Sequence, residues 1–222
     1  MQGFDRRADS TRETTNKAVQ ILQKLVEEYP DVPDYRYDLS ETYAIEDDRG
    51  PFFPKATDST ARKRSLETLE KALAISEELV AEHPNIPDYA VSQVFIRLRL
   101  ANILQESDRS GAESNLRKAL DLQSALVRRY PKTFTYKFGM AIIYESLAVL
   151  LEKRGVLSEA RCMLQASIDA LKELSQNDPK APPLRGILAH HYMSLAELLR
   201  RMGEKQAAAD AEAQARNLRP GP

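Results

Sequence analysis

The stretch PKTFTYKFGMAIIYESLAVLLEKRGVLSEARCMLQASIDALKELSQNDP, residues 131–179, decides the fold because the chain repeats it. Between its two prolines it reads as a long apolar-periodic segment, a glycine, a second such segment and a stop. The same plan fits Pro84–Pro131 and, with an insertion, Pro30–Pro84, and a fourth copy opens at Pro179. Successive prolines are 54, 47 and 48 residues apart, and a recurring period of this size is the mark of a repeat architecture.

Positions counted from the prolines fix the register. Pro33, Pro87 and Pro182 follow three residues after their prolines, where a missing N–H costs a helix nothing, while the third copy has Phe134. Five residues after stand Tyr35, Tyr89, Tyr136 and Leu184. The pairs Leu100-Ala101, Leu147-Ala148 and Leu195-Ala196 come later, then Leu104, Leu151 and Leu199. A small residue beside a large one allows close approach, so these alanines are expected where paired helices cross. Counted back from each closing proline are Thr15, Leu69, Leu116 and Leu164, then Ala18-Val19, Ala72-Leu73, Ala119-Leu120 and Ser167-Ile168, then Leu25, Leu79, Leu126 and Leu174. Spacings of three, four and seven put them on one helical face.

The motif Tyr144-x2-Leu147-Ala148-x2-Leu151, followed by Ala160-x3-Leu164 and Pro179, resembles the tetratricopeptide repeat. Tyr192-x2-Leu195-Ala196-x2-Leu199 and Ala208 repeat it, with Gly155 and Gly203 at the turns, where a left-handed backbone suits glycine. Tyr stands for the family's Trp and Ala for its Gly. The period of 48 exceeds the family's 34, which corresponds to two extra turns on each helix. The resemblance implies an all-α, right-handed solenoid of antiparallel helix pairs, about nine helices in all. Its expected parts are a polar segment 1–10, a single solenoid over 11–217 and a tail 218–222. The solenoid divides into a half unit 11–29 and units 30–83, 84–130, 131–178 and 179–217.

Along the chain, Ser10-x-x-Glu13 forms a capping box expected to open the first helix, which runs to about Tyr29. The second helix, from Pro33, is expected to end before Asp48-Arg49-Gly50-Pro51. A loop to about Ser59 follows, carrying Phe52 and Phe53 either as a plug for the first unit or as a partner contact. Further helices are expected near 59–82, 87–106, 110–129, 133–153, 157–176, 182–202 and 204–217. The last is alanine-rich and suits a terminal cap.

A net charge of −1 gives no support to a nucleic-acid or anionic membrane partner. No signal-peptide core and no apolar run approaching 18 residues occur in the sequence. As a complete chain it is expected in the cytoplasm, and as a fragment its compartment stays open. Cys162 is single and reads as a small helix residue. His83 precedes a helix-ending proline and reads as a cap. His190 and His191 are adjacent, about 100° apart on a helix, and form no chelating pair. No catalytic motif, cofactor loop or metal-ligand spacing is present, so neither an enzyme nor a cofactor is expected.

In the family the first helix of each pair lines a concave groove. By that resemblance the groove-facing stripe comprises Tyr37 and Glu41, then Val91, Phe95, Leu98 and Asn102. It continues with Phe138, Ile142, Glu145 and Val149, and ends with Gly186, His190, Met193 and Glu197. The stripe lacks a carboxylate-clamping Lys and Asn set and is apolar in its middle. Three readings stand at this point: it holds a peptide or helix of a partner protein, it pairs with a second copy as a regulatory homodimer, or its own helices close over it. The resemblance favours a non-enzymatic interaction scaffold, expected as the carboxy-terminal module of a larger bacterial signalling or assembly protein.

Overall fold

The structure, a computed structural model, describes residues 2–45, 59–177 and 182–218. Every regular element among them is helical: α1 (Gln2–Glu28), α2 (Pro33–Ile45), α3 (Ser59–Glu82), α4 (Pro87–Leu104), α5 (Arg109–Arg129), α6 (Phe134–Lys153), α7 (Leu157–Asn177), α8 (Pro182–Arg201) and α9 (Lys205–Leu218). The ends of α3 to α9 fall within two residues of those expected from the prolines and glycines. The helix α1 differs. It begins at Gln2, so Ser10 lies inside it rather than at its start. Residues 2–10 hold no proline, and Arg6, Arg7 and Ala8 are good helix formers, so the helix propagates past the cap signal. Phe52 and Phe53 lie outside the described residues.

The proline turns are built alike. Tyr29, His83 and Tyr130 each donate a backbone N–H four residues back, at 2.8–2.9 Å. Each also accepts a backbone N–H from three residues ahead, at 3.1 Å. Across each turn their rings meet Tyr35, Tyr89 and Tyr136 edge-on, with centroids 5.9–6.0 Å apart, the favoured arrangement for two quadrupoles. His83, directly after α3, thus stands at the helix end where the sequence places a cap, and its ring also packs on Tyr89 as part of an aromatic staple.

The glycine turns are a second repeated device. Gly155 and Gly203 have φ of 78° and 82°. After α6, Val156 N donates to Leu151 O at 2.9 Å and Gly155 N to Glu152 O at 3.0 Å. After α8, Glu204 N donates to Leu199 O at 2.9 Å and Gly203 N to Arg200 O at 3.0 Å. Both turns satisfy otherwise orphaned carbonyls through a left-handed residue that costs least as glycine.

The chain divides into two units, Met1–Asn115 and Leu116–Pro222. In the first, Leu39, Tyr43 and Ala44 of α2 pack with Leu69 and Ala72 of α3 and with Ile96 and Leu100 of α4. Val19, Leu22 and Val26 of α1 cover that core. Arg99 donates its guanidinium to Ala44 O, near the end of α2, which gives a last-turn carbonyl a partner. In the second unit, Ala148 and Leu151 of α6, Leu164, Ile168 and Leu171 of α7, Leu188, Leu195 and Ala196 of α8, and Ala208, Ala211 and Ala215 of α9 form one core. The small residues mark the crossings, and small hydroxyls serve there too. Ser40 Oγ donates to Ala72 O at 2.9 Å in the first unit, and Ser167 Oγ donates to Ala141 O at 2.7 Å in the second.

Candidate interaction surface

On α4 the residues facing the core are Ile96, Leu100 and Ala101, all buried. One step round the helix, Phe95, Leu98 and Asn102 are half-buried and Val91 is 39 % exposed. Phe95 lies under the Arg99 guanidinium, 5.7 Å from ring centroid to cation. The α2 part of the stripe joins it directly. The Tyr37 ring is 5.3 Å from that of Tyr89, and Glu41 accepts a hydrogen bond from Ser92 Oγ. Burial pushes the Tyr37 phenol above its ordinary value, and the charges of Glu41 and Asp88 add to this. The phenol thus stays neutral across the physiological range.

In the second unit, α6 is apolar on two sides. Ile143, Leu147, Ala148, Leu150 and Leu151 are buried, while Phe138, Ile142 and Glu145 are half-buried and Val149 is 41 % exposed. Phe138 stacks on Phe134, with centroids 5.8 Å apart and planes 14° apart. This doubled apolarity gives α6 the length and composition of a membrane crossing, alone among the described helices. Core contacts with α7 and α8 explain one apolar side. On α8, Met193 is half-buried, and Gly186, His190 and Glu197 are exposed. Glu197 pairs with Arg200 at 3.0 Å.

The α6 and α8 parts of the stripe meet at Glu145. Its Oε1 lies 3.4 Å from His190 Nε2, and its Oε2 lies 3.1 Å from His191 Nε2. His191 is buried, and its Nδ1 lies 2.9 Å from Ser167 Oγ. Burial pushes the Glu145 carboxyl up, but the His191 hydrogen bond and the charges of His191 and His190 outweigh it and hold the group below its ordinary 4.5. Sequence reading placed Glu145 and His190 on the stripe and Ser167 on the packing face of its helix, but gave His191 no role and did not join the three. A signal for them exists in the repeat. Twelve residues after each proline stand Thr42, Ile96, Ile143 and His191, and twelve before stand Ala18, Ala72, Ala119 and Ser167. The last copy replaces an apolar pair with a polar one.

Among the described residues no group of three or more His, Cys, Asp or Glu is placed to hold a metal. Ser167 is buried with its proton directed to Ala141 O, so it is not disposed as a nucleophile.

Paired long helices, crossing alanines and glycine-closed turns together fix the architecture. These are tetratricopeptide-like helix pairs. No protein-family profile matches the chain, and no curated protein matches it. Solved structures to which it is similar include MamA from Desulfovibrio magneticus RS-1, at 15 % identity over 98 % of this chain and 92 % of that one, with a TM-score of 0.47. BtubC from P. vanneervenii is 15 % identical over 97 % and 94 % of the two chains, with a TM-score of 0.49. A Podosopora anserina putative kinesin light chain with TPR-like repeats is 18 % identical over 96 % and 92 %, also at 0.49.

Proposed function

We propose that this chain is a non-enzymatic protein-interaction scaffold that takes a peptide or helix of a partner protein along its first-helix stripes. The supporting observation is α6: Val149 is exposed and Ile142 half-buried on a helix that already supplies the core, with the half-buried Phe138 packed at the edge of that core. A helix that only had to pack would present charge at such positions. Phe95, Leu98 and Val91 of α4 form the counterpart in the first unit. The apolar α6 stripe fits an apolar or aromatic segment better than an acidic terminus, since Glu145 on it stays ionised.

The test is selection of peptides from a displayed library on the full chain, followed by binding to Val149→Asp and Val91→Asp variants. Selected peptides are expected to lose affinity at least about tenfold for one variant, with unchanged thermal melts. Equal binding to both variants would place the surface elsewhere. The alternative reading, a regulatory homodimer through the stripe, predicts a concentration-dependent mass in sedimentation that Val149→Asp abolishes.

A further inference from the structure

The stripe acids of the two units have different surroundings. In the second unit Glu145 lies 3.4 Å from the His190 ring and 3.1 Å from that of His191, and Glu197 pairs with Arg200 at 3.0 Å. In the first unit Glu41, on the α2 stripe, accepts a hydrogen bond from Ser92 Oγ. Asp34 and Asp38 of α2 and Asp88 of α4 stand near it. The Tyr89 hydroxyl donates to Asp34 at 3.4 Å. The charges of Glu41, Asp88 and Asp38 all act on the Tyr37 phenol. Among the described residues, none of these four carboxylates has an ion pair.

The cations of α2 and α4 are Arg36, Arg97 and Arg99, and each is engaged elsewhere. Arg36 donates through both terminal nitrogens to Glu82. Arg97 donates to Glu77 and Asn115, and Arg99 to Ala44 O. Helix dipoles account for two of the acids, since Asp34 and Asp88 occupy the first turns of their helices, where negative charge is favourable. They do not account for Asp38 and Glu41, farther along α2. Beside these charges the surface is apolar. The Tyr37 and Tyr89 rings meet at 5.3 Å, and the exposed Val91 and half-buried Phe95 continue the strip along α4. Like charges gathered next to an apolar strip repel one another more than they would in open water, and a cation placed among them relieves that repulsion.

We propose that the α2–α4 stripe takes a cationic amphipathic segment of a partner protein. Its apolar or aromatic side chains would lie on Tyr37, Val91 and Phe95, and its Lys or Arg side chains would reach Asp38 and Glu41, with Asp34 and Asp88 behind them. This rests on the reading of the stripes as docking surfaces and adds the charge of the ligand. The Tyr37 ring, neutral and set in a negative field, offers its π face to the same cation. Nucleic acid and anionic lipid are repelled by the same carboxylates. The second unit, whose stripe acids are already matched, has no such requirement.

Selection on the full chain from three peptide libraries tests this. The libraries share a randomised apolar core and differ only in flanking residues, which are Lys, Gln or Glu. Amide hydrogen exchange then locates each selected peptide. Peptides that protect α2 and α4 are expected to come from the Lys library. Asp38→Asn with Glu41→Gln keeps side-chain size and an acceptor for Ser92, so the thermal melt should not move, while these peptides should bind at least about tenfold more weakly. Raising sodium chloride from about 0.05 M to about 0.5 M should weaken them similarly. Glu197→Gln, which removes a matched acid from the other unit, should leave them unchanged. Equal selection from the Gln library at α2 and α4, or indifference to the double variant, would overturn the charge requirement and leave the docking surface standing. Selected peptides that protect only other helices, or no selected peptide at all, would overturn the surface in this unit and the proposal with it. An equal loss in Glu197→Gln would reduce the effect to bulk charge, with the same consequence for the proposal.

Discussion

The junction of α3 with α4 and that of α7 with α8 occupy the same positions of the repeat and are filled by opposite chemistry. In the first unit Ala72 and Ile96 belong to one apolar cluster, and both are fully buried. In the second, Ser167 and His191 are buried as deeply, but as members of a hydrogen-bonded chain that ends on Glu145. A repeat backbone therefore sets how much space a crossing has and leaves open whether dispersion or hydrogen bonding fills it. Apolar filling depends on shape alone. Polar filling requires every donor to have an acceptor.

The sharpest way to break this comparison is to move one residue without its partners. Ile96→His should cost about 3 kcal/mol or more in denaturant unfolding, since it removes a packed side chain and buries an imidazole without a built partner. By contrast, the reverse exchange of Ser167→Ala with His191→Ile should change stability at neutral pH by only about 1 kcal/mol, in either direction. Similar costs for both would mean that the two junctions do not differ in kind. Leu100→Ala and Leu147→Ala probe what the units share, a nearly inaccessible leucine beside the crossing alanine. Each should lose about 2–5 kcal/mol. A loss below about 0.5 kcal/mol in either would remove that leucine from the core.

Smaller effects are expected where the units differ little. Gly155→Ala and Gly203→Ala place a Cβ on a left-handed backbone with nothing within 4 Å of it, so only the conformational cost, about 1–2 kcal/mol each, should appear in thermal melts. Arg161→Ala breaks an ion pair to Glu204 whose side chains are 45 % and 37 % exposed. The change should be at most about 1 kcal/mol and should shrink further in salt.

The core was readable in advance because it depends on spacing. Leu69, Leu116 and Leu164 are buried, as are Ala72, Ala119, Leu79, Leu126 and Leu174, and all were on the face counted back from the prolines. Thr15, Ala18 and Leu25 of α1 are less covered than their counterparts. The aromatic staples were half visible: Tyr35, Tyr89 and Tyr136 recur by offset, but their partners include His83, and a search for identical residues passes over a histidine doing a tyrosine's work. The stripe residues on α4, α6 and α8 could be named because they lie beside the packing face. Their exposure could not, since half-burial depends on how neighbouring helices overhang them.

The sequence by itself determined where α3 to α9 start and stop, which face of each is packed, and that the pairs repeat. Those properties follow from helical periodicity and from the backbone limits of proline and glycine, which act over a few residues. Only the tertiary structure decided that Glu145, Ser167 and His191, on three different helices, share one chain of hydrogen bonds. Such a chain depends on which donors and acceptors face each other across a crossing, and that is a property of distance in space rather than of order along the chain.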